Sequence, residues 1–93
     1  MMPMAKAVHV RITGLVHGVS FRESMARLAS DVGVRGWVRN LPDGSVEAFL
    51  EGDERKVQRV IDWARVGPPR ARVDRVVVEA ASSRNHRDFR IRG

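Results

Sequence analysis

Residues Ala7 to Gly33 read AVHVRITGLVHGVSFRESMARLASDVG, and the period of the apolar residues changes once along this stretch. Val8, Val10 and Ile12 alternate with His9, Arg11 and Thr13, the pattern of a strand with one buried face. From Phe21 onward the apolar positions are Phe21, Met25, Leu28, Ala29 and Val32, which form one stripe of an amphipathic helix. Ser20 and Glu23 stand at capping-box spacing, so the helix is predicted to start at Ser20 and to stop at Gly33. Gly14 to Ser20 connects the two periods.

Further along, Val34 to Leu41 and Ser45 to Gly52 read as strands joined by the turn Pro42-Asp43-Gly44. Asp53 can cap a second helix whose stripe is Val57, Val60, Ile61 and Ala64, stopped by Gly67-Pro68-Pro69. Val73 to Glu79 is a short β-branched strand, and Phe89-Arg90-Ile91-Arg92 alternates as a short terminal one. The order β-α-β-β-α-β predicts a ferredoxin-like α/β sandwich of the α+β class. It has a four-stranded antiparallel sheet with two helices on one face and a short extra C-terminal strand. Residues 1–93 are expected to form a single domain, with 1–6 a flexible N-terminal extension.

The chain is 43% hydrophobic and 30% charged, a globular balance, and its lack of Cys excludes disulfides, thiolate nucleophiles and Cys-ligated metals. Seventeen Lys and Arg against eleven Asp and Glu give a net charge of +6, and all the cations except Lys6 and Lys56 are Arg. That balance favours anionic partners, although the coding bias of a GC-rich genome gives the same Arg skew. No apolar run suits a signal peptide or a membrane span, so a cytoplasmic protein with no membrane contact is expected. Without an obvious exposed apolar stripe, a monomer is expected. His9, His17 and His86 lack helical pairing and a carboxylate cluster, which argues against a metal site. There is no nucleophile-elbow Ser, and no glycine-rich loop carries the Lys and Ser/Thr of a nucleotide P-loop.

Two segments remain. Gly14 and Gly18 let the first connection curl, and it runs into a helix N-terminus where consecutive N–H groups can hold an anion. Arg22, in the first turn, opposes the helix dipole and makes sense with an oxyanion between it and the loop. An ordinary turn with an exposed Arg is the competing reading. Gly36-Trp37-Val38-Arg39-Asn40 ends the second strand, which runs the same way as the first, so Asn40 reaches the same sheet edge. Its amide can orient a water but is no strong base, and a local turn bond is the alternative role.

Gly14, Val16, Gly18, Val19, Phe21 and Arg22 form one motif; Gly36, Trp37, Val38, Asn40, Gly44, Val46 and Gly52 form a second. With Gly67-Pro68-Pro69 and Ala71-Arg72-Val73 behind them, they resemble the acylphosphatase family over roughly residues 8–92. The resemblance implies hydrolysis of the carboxyl–phosphate bond of acyl phosphates to carboxylate and inorganic phosphate, with no metal and no other cofactor. It implies that Arg22 binds the phosphate and that the backbone amides of Leu15, Val16, His17, Gly18, Val19 and Ser20 complete a cradle. Asn40 would position the attacking water. The implied partners are a small acyl phosphate and inorganic phosphate, as product and competing ligand. His17 departs from the family, which more usually has Gln there, and the chain ends in Gly93 where relatives often carry an aromatic. Two other classes compete. One is a nucleic-acid module using Trp37, Phe49 and Arg39 on an open sheet face, disfavoured by 5% aromatics and no Tyr. The other is an anion-sensing accessory domain, which would have no need of both Arg22 and Asn40.

Overall fold

The computed structural model describes residues 4–93. Strand β1 (Ala5–Leu15), helix α1 (Phe21–Val32), strands β2 (Arg35–Asn40) and β3 (Val46–Asp53), helix α2 (Glu54–Ala64), and strands β4 (Arg72–Ala80) and β5 (Phe89–Ile91) follow one another. The strands form one sheet in the order β4-β1-β3-β2-β5. β1 is antiparallel to β3 and β4, and β2 is antiparallel to β3, as the ferredoxin-like reading requires. β5 adds to β2 in parallel, with Gly36 opposite Phe89, so the complete sheet is mixed.

The apolar stripes read from the sequence are the stripes that are buried. Val8, Val10 and Ile12 of β1 and Val46, Ala48 and Leu50 of β3 meet Phe21, Met25 and Ala29 of α1 and Val57, Val60, Ile61 and Ala64 of α2. Gly33 closes α1 in a left-handed conformation, its N–H donating to the Ala29 carbonyl at 2.9 Å. Asp53 caps α2 by accepting the N–H groups of Arg55 and Lys56 at 3.0 and 3.2 Å. The expected extension at 1–6 is corrected at its inner end. Ala5 pairs with Asp53 and Lys6 with Gly52 because β3 runs far enough to give them a partner, and residues 1–3 lie outside the described residues.

On the sheet face away from the helices, His9, Phe49 and Trp37 stand side by side across β1, β3 and β2. The segment between β4 and β5 is strapped to this face by Glu51, which is 1% exposed. Its carboxylate accepts the Ser83 hydroxyl at 2.6 Å, His86 Nδ1–H at 2.5 Å, and the N–H groups of Arg84 and His86 at 3.2 and 3.3 Å. Burial pushes the Glu51 carboxyl up, but the bonds from Ser83 and His86 outweigh it and hold the pKa at about 2.

A carboxyl held below its ordinary value of 4.5 contributes stability at higher pH and loses it as pH falls through about 2. Thermal melts followed by circular dichroism should therefore show stability falling between these two values, with a contribution on the order of 3 kcal/mol from this group. Glu51→Gln should melt lower at neutral pH and show a smaller acid-dependent loss. An acid dependence identical to that of the parent protein would contradict the assignment.

Candidate active site

The site begins where β1 leaves the sheet. The β1–β4 register shifts between Thr13 and Gly14, and Gly14 has φ 131°, where a Cβ would overlap the Arg72 carbonyl. Val16 is buried and fixes the base of the loop that follows. Gly18 (φ 70°) and Ser20 (φ 64°) are left-handed, Val19 between them is not, and Phe21 enters the right-handed helix. Alternating handedness of this kind turns successive N–H groups toward one concavity, which makes an anion nest.

This conformation corrects the expected capping box. Ser20 occupies the N-cap position, but its left-handed backbone points the side chain away from the first turn, and the hydroxyl caps nothing. Its carbonyl still accepts the Ser24 N–H at 3.0 Å. The first N–H groups of α1, which have no intrahelical acceptor, therefore receive none from Ser20's side chain. The helix start is anchored by buried Phe21, whose ring packs on Trp63 of α2 with centroids 5.1 Å apart. Arg22 follows directly.

Ile12, Val46 and Asn40 are in register across β1, β3 and β2, so Asn40 lies on the helix-facing side at the end of its strand. Its Oδ1 is buried and has no hydrogen-bond partner among the described residues. Such an acceptor is costly to leave unmade. A cavity of about 280 Å³ is lined by Val16, Gly18, Ser20, Phe21, Arg22, Glu23 and Asn40. Arg22, Asn40 and three of the six expected cradle residues thus share one cavity. Leu15 does not line it: this residue is still part of β1, paired with Arg72 and exposed, because the strand runs longer than its alternation indicated. His17 and Val19 do not line it either. Phe21 and Glu23 do, and neither was expected. For Phe21 the sequence signal is its place in the first motif; for Glu23 it is adjacency to Arg22.

His17 has a different task. Its Nε2–H donates to the Ser45 carbonyl at 2.8 Å, which fixes the tautomer, since a carbonyl can only accept. The same oxygen accepts the N–H of Leu41, next to Asn40, at 2.9 Å. Ser45 is itself held by Asp43, whose Oδ1 accepts the Ser45 N–H at 2.9 Å and hydroxyl at 2.5 Å. Arg11 pairs with Asp43 and donates to the Ser45 hydroxyl oxygen at 3.3 Å. These bonds, led by the Ser45 hydroxyl and then its N–H, keep the carboxyl of the exposed Asp43 down at about 2. Among the described residues no three His, Asp or Glu side chains gather as a metal-ligand set, and no helix is long and apolar enough to cross a membrane.

The family model described as Acylphosphatase matches residues 8–91. The chain is 53% identical over 85 residues to an acylphosphatase of Thermococcus kodakarensis, covering 91% of this chain and 93% of the relative. It is 54% identical over 92 residues to an acylphosphatase of Pyrobaculum arsenaticum, covering 97% and 96%. The solved structure of an acylphosphatase from Coxiella burnetii superposes with a TM-score of 0.91 at 36% identity, over 95% of this chain and 93% of that one.

The tie from His17 to the hairpin is testable with a simple anion. His17→Ala should weaken binding of inorganic phosphate several-fold in titration calorimetry. His17→Gln, whose amide can donate to the same carbonyl, should retain it. Equal affinity in both variants would remove His17 from the support of the loop.

Proposed function

The chain belongs to the acylphosphatase family and hydrolyses acyl phosphates, and we propose that a water held at Asn40 attacks in line a phosphate held at Arg22. The observation that carries this reading is the buried Oδ1 of Asn40, unpaired among the described residues, in the cavity that Arg22 lines. A carboxamide oxygen accepts one O–H of a water and leaves the water's lone pairs free to point elsewhere. The Arg22 guanidinium matches two phosphate oxygens with parallel N–H bonds, and N–H groups of the loop residues that line the cavity, Val16, Gly18 and Ser20, and of the start of α1 hold the rest.

The balance of the step explains why so few groups suffice. The water oxygen bonds to phosphorus as the bond from phosphorus to the acyl oxygen breaks, and the carboxylate leaves with the electron pair. A carboxylate is a stable leaving group and needs no acid. The water's proton passes to a phosphate oxygen, so no protein base is required. Phosphoryl transfer through a loose transition state asks chiefly for positioning and charge stabilisation, which one Arg, a ring of amides and one Asn provide. No metal ion enters the step. The rate should then follow no protein titration near neutral pH.

Hydrolysis of benzoyl phosphate in the presence of EDTA tests each part. The parent protein should turn over. Arg22→Ala should bind substrate far more weakly, by roughly 2–5 kcal/mol, because a charged partner of the phosphate is lost. Asn40→Ala should keep KM nearly unchanged while kcat falls roughly a hundredfold or more. Normal turnover by Asn40→Ala would overturn the water assignment, and activity that returned only on adding a divalent cation would overturn the metal-free step.

A further inference from the structure

Side chains alternate along β2, so Trp37 and Arg39 lie on the sheet face opposite Val38 and Asn40. On that face the rings of Trp37 and Phe49 stack with centroids 6.4 Å apart and planes 20° apart. Together with His9, His86, Arg84 and Arg92 they line a second cavity, of about 370 Å³. The Arg92 guanidinium lies 4.9 Å from the Trp37 centroid, and that of Arg84 lies 5.9 Å from the Phe49 centroid. Neither guanidinium has a carboxylate partner among the described residues. The nearby carboxylates are already engaged, Glu47 by His9 and Arg39, and Glu51 by Ser83 and His86.

We propose that this cup is a second ligand site, separate from the hydrolytic cavity, for a flat aromatic anion the size of a mononucleotide. The two halves of the site match the two halves of such a ligand. Ring faces and guanidinium planes both stack on an aromatic ring. The two cations, held at the cup without counter-charge, attract the anionic group and bond to its oxygens. The cavity is within the size range of small-molecule sites, at its small end, and takes one base with its phosphate. The strap on Glu51 carries Arg84 and His86, so a buried carboxylate preorganises one wall of the cup.

Calorimetric titration of 5′-AMP into Arg22→Ala protein tests the site with the phosphate cradle disabled. Saturable one-to-one binding with Kd below about 1 mM is expected. Adenosine, which lacks the charge, and ribose 5-phosphate, which lacks the aromatic base, should each bind at least about tenfold more weakly. Adding Arg84→Ala and Arg92→Ala, both at exposed positions, should cost a similar factor, while the same pair in the parent protein leaves benzoyl phosphate hydrolysis unchanged. No binding at millimolar 5′-AMP would overturn the proposal. So would binding indifferent to the two arginines, or adenosine binding as tightly as the nucleotide.

Discussion

The Ser45 carbonyl oxygen accepts the N–H of Leu41 and the Nε2–H of His17 at the same time. One bond comes from the hairpin that follows Asn40, the other from the loop that leads to Arg22. The loop issues from β1 and the hairpin joins β2 to β3, so this oxygen is where the two halves of the site touch outside the sheet. Each bond is worth only about 1 kcal/mol to stability. Their importance is geometric, because a displacement of about 1 Å between phosphate and nucleophile costs far more in rate than in folding free energy. The brace from Arg11 and Asp43 to Ser45 makes the shared acceptor itself rigid.

What the sequence disclosed was local or topological. The stripes of both helices, the Gly33 stop and the Asp53 cap follow from neighbouring residues alone, and all are present in the fold. Arg22 and Asn40 could be brought together on paper because two parallel strands of a split βαβ unit must end at the same edge. The misreadings share one cause, a distant constraint that overrides a local signal. Ser20 and Glu23 have the letters of a capping box, but the loop has to curl between β1 and α1, and its left-handed turn at Ser20 takes precedence. Leu15 looked like loop because alternation stops at Thr13, yet β4 supplies a partner beyond the bulge. Glu51 gave no signal, since the groups that satisfy it lie more than thirty residues away. The open acceptor on Asn40 is likewise a property of what surrounds the side chain and not of the residue.

β2 serves both faces of the sheet. Its even-numbered positions, Gly36, Val38 and Asn40, face the helices and carry the chemistry to the cavity, while Trp37 and Arg39 build the aromatic face behind it. Two such different surfaces coexist on one strand because the side-chain period of two leaves each free to vary without the other. His9 and Phe49 extend the aromatic row across the sheet, and the strap covers part of it.

The sheet has two margins, and they are finished differently. β5 is only three residues long and closes over β2, leaving little main chain to recruit another strand. β4 is longer and among the described residues pairs only with β1, and it contains the β-branched run Val76-Val77-Val78, the composition from which cross-β stacking grows. Arg75 and Glu79 bracket that run, and Arg72 and Asp74 form an ion pair before it. A foreign strand docking there would have to strip water from these charges, so the margin that could template aggregation is guarded by its own flanks.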